Sequence, residues 1–242
     1  MSTIFLEKNL RSGENWSMSW LLGGIPYPKR TDVVFFLLLV VLCIFWPRVD
    51  SEEMYFDLLR TGRLAGEKGS HDRAIGLYGT ALEFKPEGIE AFIWRAESYR
   101  ALGKKAEAER DFQRATEIDS GRSEPFFHRA RFLFEAGRLF PALQDLNRAI
   151  SINPAEAEYY FLRGKISWIL KDDSRARSDF EKLIQLDPSR GEGHYELSLV
   201  LISLGQTENA MEEMRKARDL DYSPAFEYFP VGIQFDESKI LH

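Results

Sequence analysis

The sequence is short of cysteine, of histidine and of positive charge, and each shortage excludes a class of protein. Cys43 is the one cysteine in 242 residues, so no disulfide can form within the chain. The four histidines are dispersed, without a second histidine or a cysteine at metal-site spacing. Lysine and arginine number 32 against 38 acidic residues, whereas a nucleic-acid partner requires clustered positive charge. We therefore expect no metal, no cofactor and no nucleic acid.

Motifs of enzyme chemistry are missing as well. The chain has no phosphate-binding loop, no dinucleotide fingerprint and no nucleophile elbow. Its carboxylates are abundant, but on helices such residues are mostly solvated or favour the first turn. We predict that the protein is not an enzyme and has no small-molecule substrate.

Long apolar runs are scarce, and the longest lies near the N-terminus. Residues 33–46 are fourteen uncharged, mostly aliphatic or aromatic residues; as a helix they span about 21 Å, against roughly 30 Å for a bilayer core. The length leaves three interpretations open: a short transmembrane anchor, the core of a signal peptide, or a helix buried against protein. No small-x-small cleavage site follows the run, which disfavours a cleaved signal.

We interpret residues 32–47 as a single-pass transmembrane anchor, between a flanking interfacial segment (1–31) and a linker (48–54). Aromatic residues typical of membrane interfaces lie on both sides of the run: Trp16, Trp20, Tyr27 and Trp46. The basic pair Lys29 and Arg30 precedes the run, which favours a cytoplasmic N-terminus. The rest of the chain is then expected on the non-cytoplasmic side of the membrane.

Internal repetition organises residues 55–224. Laying the chain out in rows of 34 residues from Tyr55 gives five rows without an insertion, namely 55–88, 89–122, 123–156, 157–190 and 191–224. Two columns hold small residues throughout, Ala74, Ala108, Ala142, Ala176 and Ala210, and Gly62, Ala96, Ala130, Gly164 and Ser198. A bulky column lies between them, with Tyr78, Phe112, Leu146, Phe180 and Met214. Small residues let two helices approach closely, while the bulky ones fill the space between them.

Each row divides into two helical stretches. Glycine, which can adopt the left-handed conformation that ends a helix, separates them in four rows as Gly69, Gly103, Gly137 and Gly205, and Lys171 takes its place in row four. Prolines close three of the rows as Pro86, Pro154 and Pro188. The rows therefore predict five helix-turn-helix units.

A 34-residue helix-turn-helix with these small and large columns resembles the tetratricopeptide repeat, over 170 of the 242 residues. The resemblance implies an all-α fold, a right-handed α-solenoid of five units preceded here by one transmembrane helix. It also implies a concave surface, lined by the first helix of each unit, that holds an extended peptide or a partner helix. We call this surface the groove.

In rows three to five the groove face of the first helix carries aromatic residues with interspersed cations, a composition typical of binding surfaces. The predicted partner-binding residues are Phe127, Arg131, Phe134, Phe161, Lys165, Trp168 and Tyr195. Rows one and two are less aromatic, so we expect the main hot spot in the C-terminal half, with the cations facing acidic groups of the ligand. Alternatively, some of these aromatic residues pack against the next unit or are covered by the chain's own tail.

A second regularity predicts structural ion pairs. Three arginines each precede an aspartate by sixteen residues, in the pairs Arg95 and Asp111, Arg129 and Asp145, and Arg163 and Asp179. This spacing places one partner on each helix of a unit. The lysine and asparagine clamp by which co-chaperones of the family grip a terminal carboxylate is not supported, because Leu59, Arg63 and Trp94 stand at such positions.

The C-terminal tail, residues 225–242, is aromatic but interrupted by Pro230 and Gly232. Its expected role is to cover the end of the last unit with Phe226, Tyr228 and Phe229, because the end of a solenoid needs a cap. A strand that binds a partner is the alternative.

Together these features predict a membrane-anchored, non-enzymatic scaffold that recruits or assembles a protein partner through the groove. Two alternatives remain open. The protein could be a permanent subunit of a membrane complex that docks through its N-terminal segment, or it could be a regulatory module of a separate enzyme.

Overall fold

The computed structural model describes residues 51–222, and this part of the chain is all helical. Its ten helices fall two to a 34-residue row. They are α1 Ser51–Glu67, α2 His71–Phe84, α3 Ile89–Ala101, α4 Lys105–Ile118, α5 Glu124–Glu135, α6 Leu139–Ile152, α7 Ala157–Ile169, α8 Asp173–Leu186, α9 Gly191–Ser203 and α10 Thr207–Asp219. The predicted interfacial segment 1–31, anchor 32–47 and tail 225–242 lie outside the described residues. None of the ten helices is both long and apolar enough to cross a bilayer.

The turn inside each unit has one geometry, and the predicted left-handed residues are confirmed. Gly69, Gly103, Gly137 and Gly205 have φ between 71° and 75°, and Lys171 has φ 63°. The residue after each of them donates its backbone N–H to the carbonyl five residues earlier, as Ser70 does to Ala65 and Asp172 to Ser167. These bonds satisfy carbonyls that a helix end would otherwise leave unpaired.

The small and bulky columns meet in the core of each unit. Ala74, Ala108, Ala142, Ala176 and Ala210 are buried, as are the bulky residues Tyr78, Phe112, Leu146, Phe180 and Met214. A Cβ added at Gly62 would lie 2.5 Å from the Tyr78 ring, and one at Gly164 would lie 2.8 Å from the Phe180 ring. The close approach of the two helices therefore requires glycine at these two places.

Neighbouring units share a continuous core. One cluster of buried apolar residues runs from Ile89 to Ile166 and draws on three rows, and a second links Tyr160 in row four to Ala210 in row five. Each second helix packs against the first helix of the following unit. Because a single helix pair cannot bury its apolar face alone, this stacking gives the units their stability.

Candidate functional site

The first helices of successive units lie side by side, and they build the groove face. α1 contacts α3, α3 contacts α5, α5 contacts α7, and α7 contacts α9. Ion pairs cross these contacts between residues about one row apart, such as Arg131 with Glu97 and Arg100 with Glu135. A groove residue therefore meets its counterpart from the adjacent unit.

The predicted aromatic residues are placed unequally on this face. Phe127, Phe134, Trp168 and Tyr195 are half-buried and keep part of their surface accessible. Phe161 is only 8% exposed, with the Arg190 guanidinium 4.3 Å and the Lys165 ammonium 5.1 Å from its ring centroid. Phe161 thus offers a partner little surface, and two cations cover its ring.

Glu97 on α3 is the most heavily coordinated carboxylate of the groove. Its oxygens accept hydrogen bonds from Arg131 at 2.5 Å and from Arg100 at 2.8 Å, and His128 Nδ1 lies 3.2 Å away. Burial raises the pKa of this carboxyl, but the contacts with His128, Arg131 and Arg100 outweigh burial and bring the pKa to about 2. Glu97 is therefore ionised, and both of its carboxylate oxygens already have hydrogen-bond partners.

This coordination occupies Arg131, one of the two cations predicted to face acidic groups of a ligand. Arg131 also stacks over Phe127, with the guanidinium carbon 5.9 Å from the ring centroid. A carboxylate of a partner would have to compete with Glu97 for it. The sequence analysis did not predict this pair. Glu97 and Arg131 stand in the same column of consecutive rows, and this position could have identified them as neighbours.

Glu196 on α9 is the contrasting carboxylate of the groove. The residue is 7% exposed, yet its ion-pair partner among the described residues is Lys165, at 3.7 Å, which exceeds a normal hydrogen bond. Burial raises the pKa of Glu196, Lys165 offsets this only in part, and the charge of Glu192 adds to the increase. Lys165, the second predicted groove cation, is thus also neutralised by the chain itself.

Two arginines at row ends tie the first turns of neighbouring first helices together. Arg122 contacts Glu90 at 2.7 Å and Glu124 at 3.5 Å, and Arg190 contacts Glu158 at 2.5 Å and Glu192 at 2.8 Å. Each arginine therefore bridges its own unit to the next. Hydrogen bonds with Glu90 raise the pKa of Arg122 against the opposing effect of burial.

The three predicted arginine–aspartate pairs are formed within their units. In each, the guanidinium donates two hydrogen bonds to the carboxylate, with the shortest contacts at 2.7 Å for Arg95 with Asp111, 2.6 Å for Arg129 with Asp145 and 2.7 Å for Arg163 with Asp179. The aspartates are buried, and each pair joins the two helices of one unit. Row five has His194 Nδ1 at 2.6 Å from Glu213 between its two helices.

Sequence reasoning gave little weight to Trp94 on α3, which is 37% exposed. Its ring meets His128 edge-on, with the ring centroids 6.0 Å apart. It borders a cavity of about 400 Å³ between α1 and α3, whose lining includes Arg63, Gly66 and His71. The sequence feature that could have identified Trp94 is a tryptophan on a first helix, in a column whose other residues vary. The N-terminal half of the groove therefore has an aromatic contact of its own.

The chemistry of this face is that of recognition. No group of three or more histidine, cysteine or acidic side chains in residues 51–222 is arranged to hold a metal ion. The groove face has half-buried aromatic side chains beside charged ones, a composition typical of surfaces that bind another polypeptide.

Comparisons with known families and structures agree with this architecture. Family models described as "Tetratricopeptide repeat" match residues 59–123, 157–190 and 191–223. No curated protein matches the chain significantly in sequence.

Solved structures with a similar fold are numerous. The crystal structure of MamA is 22% identical with a TM-score of 0.61, and the match covers 69% of this chain and 97% of that one. YrrB, described as a TPR protein with an unusual peptide-binding site, is 22% identical with a TM-score of 0.58, covering 70% and 89%. PilF of Pseudomonas aeruginosa is 20% identical with a TM-score of 0.66, covering 70% and 77%. At these identities the likeness concerns the fold.

Proposed function

We propose that this chain, which belongs to the tetratricopeptide repeat family, is a membrane-anchored, non-enzymatic scaffold that holds a segment of a protein partner in its groove. The observation that carries the proposal is the row of accessible aromatic residues along adjacent first helices, the exposed Trp94 and the half-buried Phe127, Phe134 and Trp168. Aromatic side chains in partly desolvated positions supply most of the binding energy in many interfaces. The peptide-binding site named for YrrB is a precedent on the same fold.

The state of the charged groove residues supports a particular mode of binding. Arg131 and Lys165 are paired with Glu97 and Glu196, so the aromatic surface is the part of the face that a partner can cover without first separating an ion pair. We infer that apolar contact supplies the affinity and that the charged pairs around it set the register of the bound segment.

A crosslinking experiment in native membranes tests the groove. A photoreactive phenylalanine analogue replaces Trp168 in one variant and Phe140 in a matched control, followed by illumination and mass spectrometry. Phe140 is 70% exposed on α6, a second helix, and so offers an accessible aromatic position outside the groove. We expect a partner to be crosslinked from position 168 and not from position 140. Equal crosslinking from the two positions, or none from position 168, would falsify the proposal.

The membrane anchor is the second part of the proposal, and it rests on the apolar run 33–46 with its flanking aromatic residues. Deleting residues 1–49 should release the protein from the membrane fraction and leave partner capture by the repeats intact. If the truncated protein no longer binds its partner, the N-terminal segment performs the docking, as expected of a permanent subunit. Protease protection of an epitope at the C-terminus then tests the expected non-cytoplasmic side.

A further inference from the structure

The carboxylate of Glu196 has few close contacts for a group that is 7% exposed. A buried carboxylate normally gathers several hydrogen bonds, because removing its charge from water is costly. Glu97, on the same face, has three close contacts, whereas Glu196 has Lys165 at 3.7 Å. Residues 51–222 therefore leave this acceptor with hydrogen-bonding capacity unused.

Tyr195 precedes Glu196 in α9, and Tyr222 packs against Tyr195. The rings of Tyr195 and Tyr222 have their centroids 5.4 Å apart at an angle of 50°. Burial raises the pKa of Tyr222, and the charges of Glu192 and Glu196 raise it further. An aromatic pair next to a carboxylate is a favourable environment for an organic cation.

The chain positions this cluster firmly. A Cβ at residue 191 would lie 2.9 Å from the Cβ of Tyr222, so glycine at the start of α9 allows Tyr222 to approach it. Asp221 has φ 55°, and the N–H of Tyr222 donates to the carbonyl of Ala217 at 3.1 Å. The turn that ends α10 thus brings Tyr222 to Tyr195 through the backbone.

The charges of the neighbourhood leave an excess of one anion. Arg190 bridges Glu158 and Glu192, so one cation serves two carboxylates. Lys165 approaches Glu196 and also lies over the Phe161 ring. Three carboxylates therefore face two cations, and an added positive charge at the C-terminal end of the groove would balance them.

We propose that Glu196, with the Tyr195–Tyr222 pair, receives a lysine or arginine side chain from the segment bound in the groove. The proposal rests on the groove-binding function and specifies the chemistry of its ligand. A neutral donor would satisfy a carboxylate lone pair but add no countercharge to the one that Lys165 supplies at 3.7 Å. A guanidinium or ammonium group provides the hydrogen bond, the countercharge and a cation for the aromatic rings.

A display library of random dodecamer peptides, selected on the purified full-length protein in detergent, is the probe. We expect peptides retained by the natural sequence to be enriched in lysine and arginine. Glu196→Gln should abolish the enrichment and weaken binding of a selected basic peptide, measured by fluorescence polarisation, about 10-fold. Glu208→Gln on α10, an exposed glutamate, is the matched control and should leave both readouts unchanged.

A second variant shifts the affinity in the opposite direction. Lys165→Met removes the cation that competes for Glu196 and should tighten binding of the same basic peptide about threefold. A purely structural carboxylate does not predict this gain. Circular dichroism of each variant establishes that the helical fold is retained.

The outcomes separate the two proposals. If no peptide is retained by the natural sequence, groove binding itself fails and the cation site falls with it. If peptides are retained without basic enrichment, or with the same enrichment by Glu196→Gln, the cation site alone is refuted and groove binding stands. Basic enrichment that depends on Glu196, with tighter binding by Lys165→Met, supports the cation site.

Discussion

The two halves of the groove treat a buried carboxylate in opposite ways. In the N-terminal half Glu97 lies among Arg100, His128 and Arg131, and its pKa is lowered to about 2. In the C-terminal half Glu196 is buried to a similar degree, with Lys165 at a distance and a raised pKa. The first arrangement stabilises the fold, whereas the second leaves the carboxylate with one ion-pair partner among residues 51–222, beyond normal hydrogen-bond distance. The proposed cation site therefore lies in the half of the groove whose carboxylate has fewer contacts.

The largest effect expected from this comparison is on stability. Glu97→Gln leaves Arg100 and Arg131 without their shared counterion, and we expect a loss of about 2–3 kcal/mol in the free energy of unfolding. Glu196→Gln removes a charge that burial already disfavours, so it should change stability by less than about 0.5 kcal/mol or increase it slightly. Urea unfolding followed by circular dichroism measures both variants. Equal losses for the two would contradict the comparison.

The next effect is on the pH dependence of stability. The pKa of Glu97 is lowered on folding, so its stabilising contribution is present above the unfolded value of about 4.3 and is lost as the pH falls toward 2. The difference in free energy of unfolding between the natural protein and Glu97→Gln should therefore shrink by about 2 kcal/mol between roughly pH 5 and pH 2.

Glu196 should behave in the reverse sense. Its pKa is raised on folding, so its charge destabilises the fold above the folded pKa, and protonation relieves this as the pH falls. The free energy of unfolding of the natural protein should rise relative to that of Glu196→Gln as the pH falls from the raised folded pKa to the unfolded value of about 4.3, whereas its loss relative to Glu97→Gln occurs below that value. Thermal unfolding at a series of pH values tests the sign of each difference, and parallel curves for the two variants would refute it.

A smaller effect concerns binding by the two tryptophans of the groove face, Trp94 and Trp168. We expect Trp168→Ala to reduce partner capture about 10-fold and Trp94→Ala about threefold, because the open carboxylate and the aromatic cluster lie in the C-terminal half. Quantitative co-purification from membranes is the measurement, and Phe140→Ala is the control. A larger loss from Trp94→Ala would place the main contact around the cavity between α1 and α3.

The smallest effect separates the two bridging arginines. Arg122→Gln should cost about 0.5 kcal/mol, as expected for a half-exposed ion pair. Arg190→Gln should cost about 1 kcal/mol, because Arg190 also stacks on Phe161 at 4.3 Å. High salt should reduce the cost of Arg122→Gln more than that of Arg190→Gln. Unfolding in low and high salt provides the comparison, and identical losses would remove any role for the stacking.

The sequence predicted most of the fold, because the repeat makes the local rules visible. Gly69 and its counterparts marked the turns, and even Lys171, which lacks the freedom of glycine, adopts the left-handed conformation its column requires. The sixteen-residue spacing of Arg95 and Asp111 likewise identified two residues that meet. These features depend on contacts within one unit, which a periodic sequence specifies directly.

The groove was predicted less completely, because its state depends on contacts between units. Phe161 was expected to be accessible, but Arg190 folds back from the end of its own row to cover it. Arg131 was expected to face a ligand, but Glu97 on the preceding first helix holds it. Helical periodicity reports which face a residue occupies and not which neighbour shares that face.

The uniform turn inside each unit has a consequence for how such a protein can change its partner. A backbone motif sets the angle between the paired helices, so most outward-facing residues of the first helices carry little responsibility for the architecture. An exposed residue of a first helix, such as Ile169, could be exchanged to suit a new ligand while the scaffold persists, whereas Glu97 could not. Retargeting by evolution or by engineering is therefore easiest at the exposed positions of the first helices.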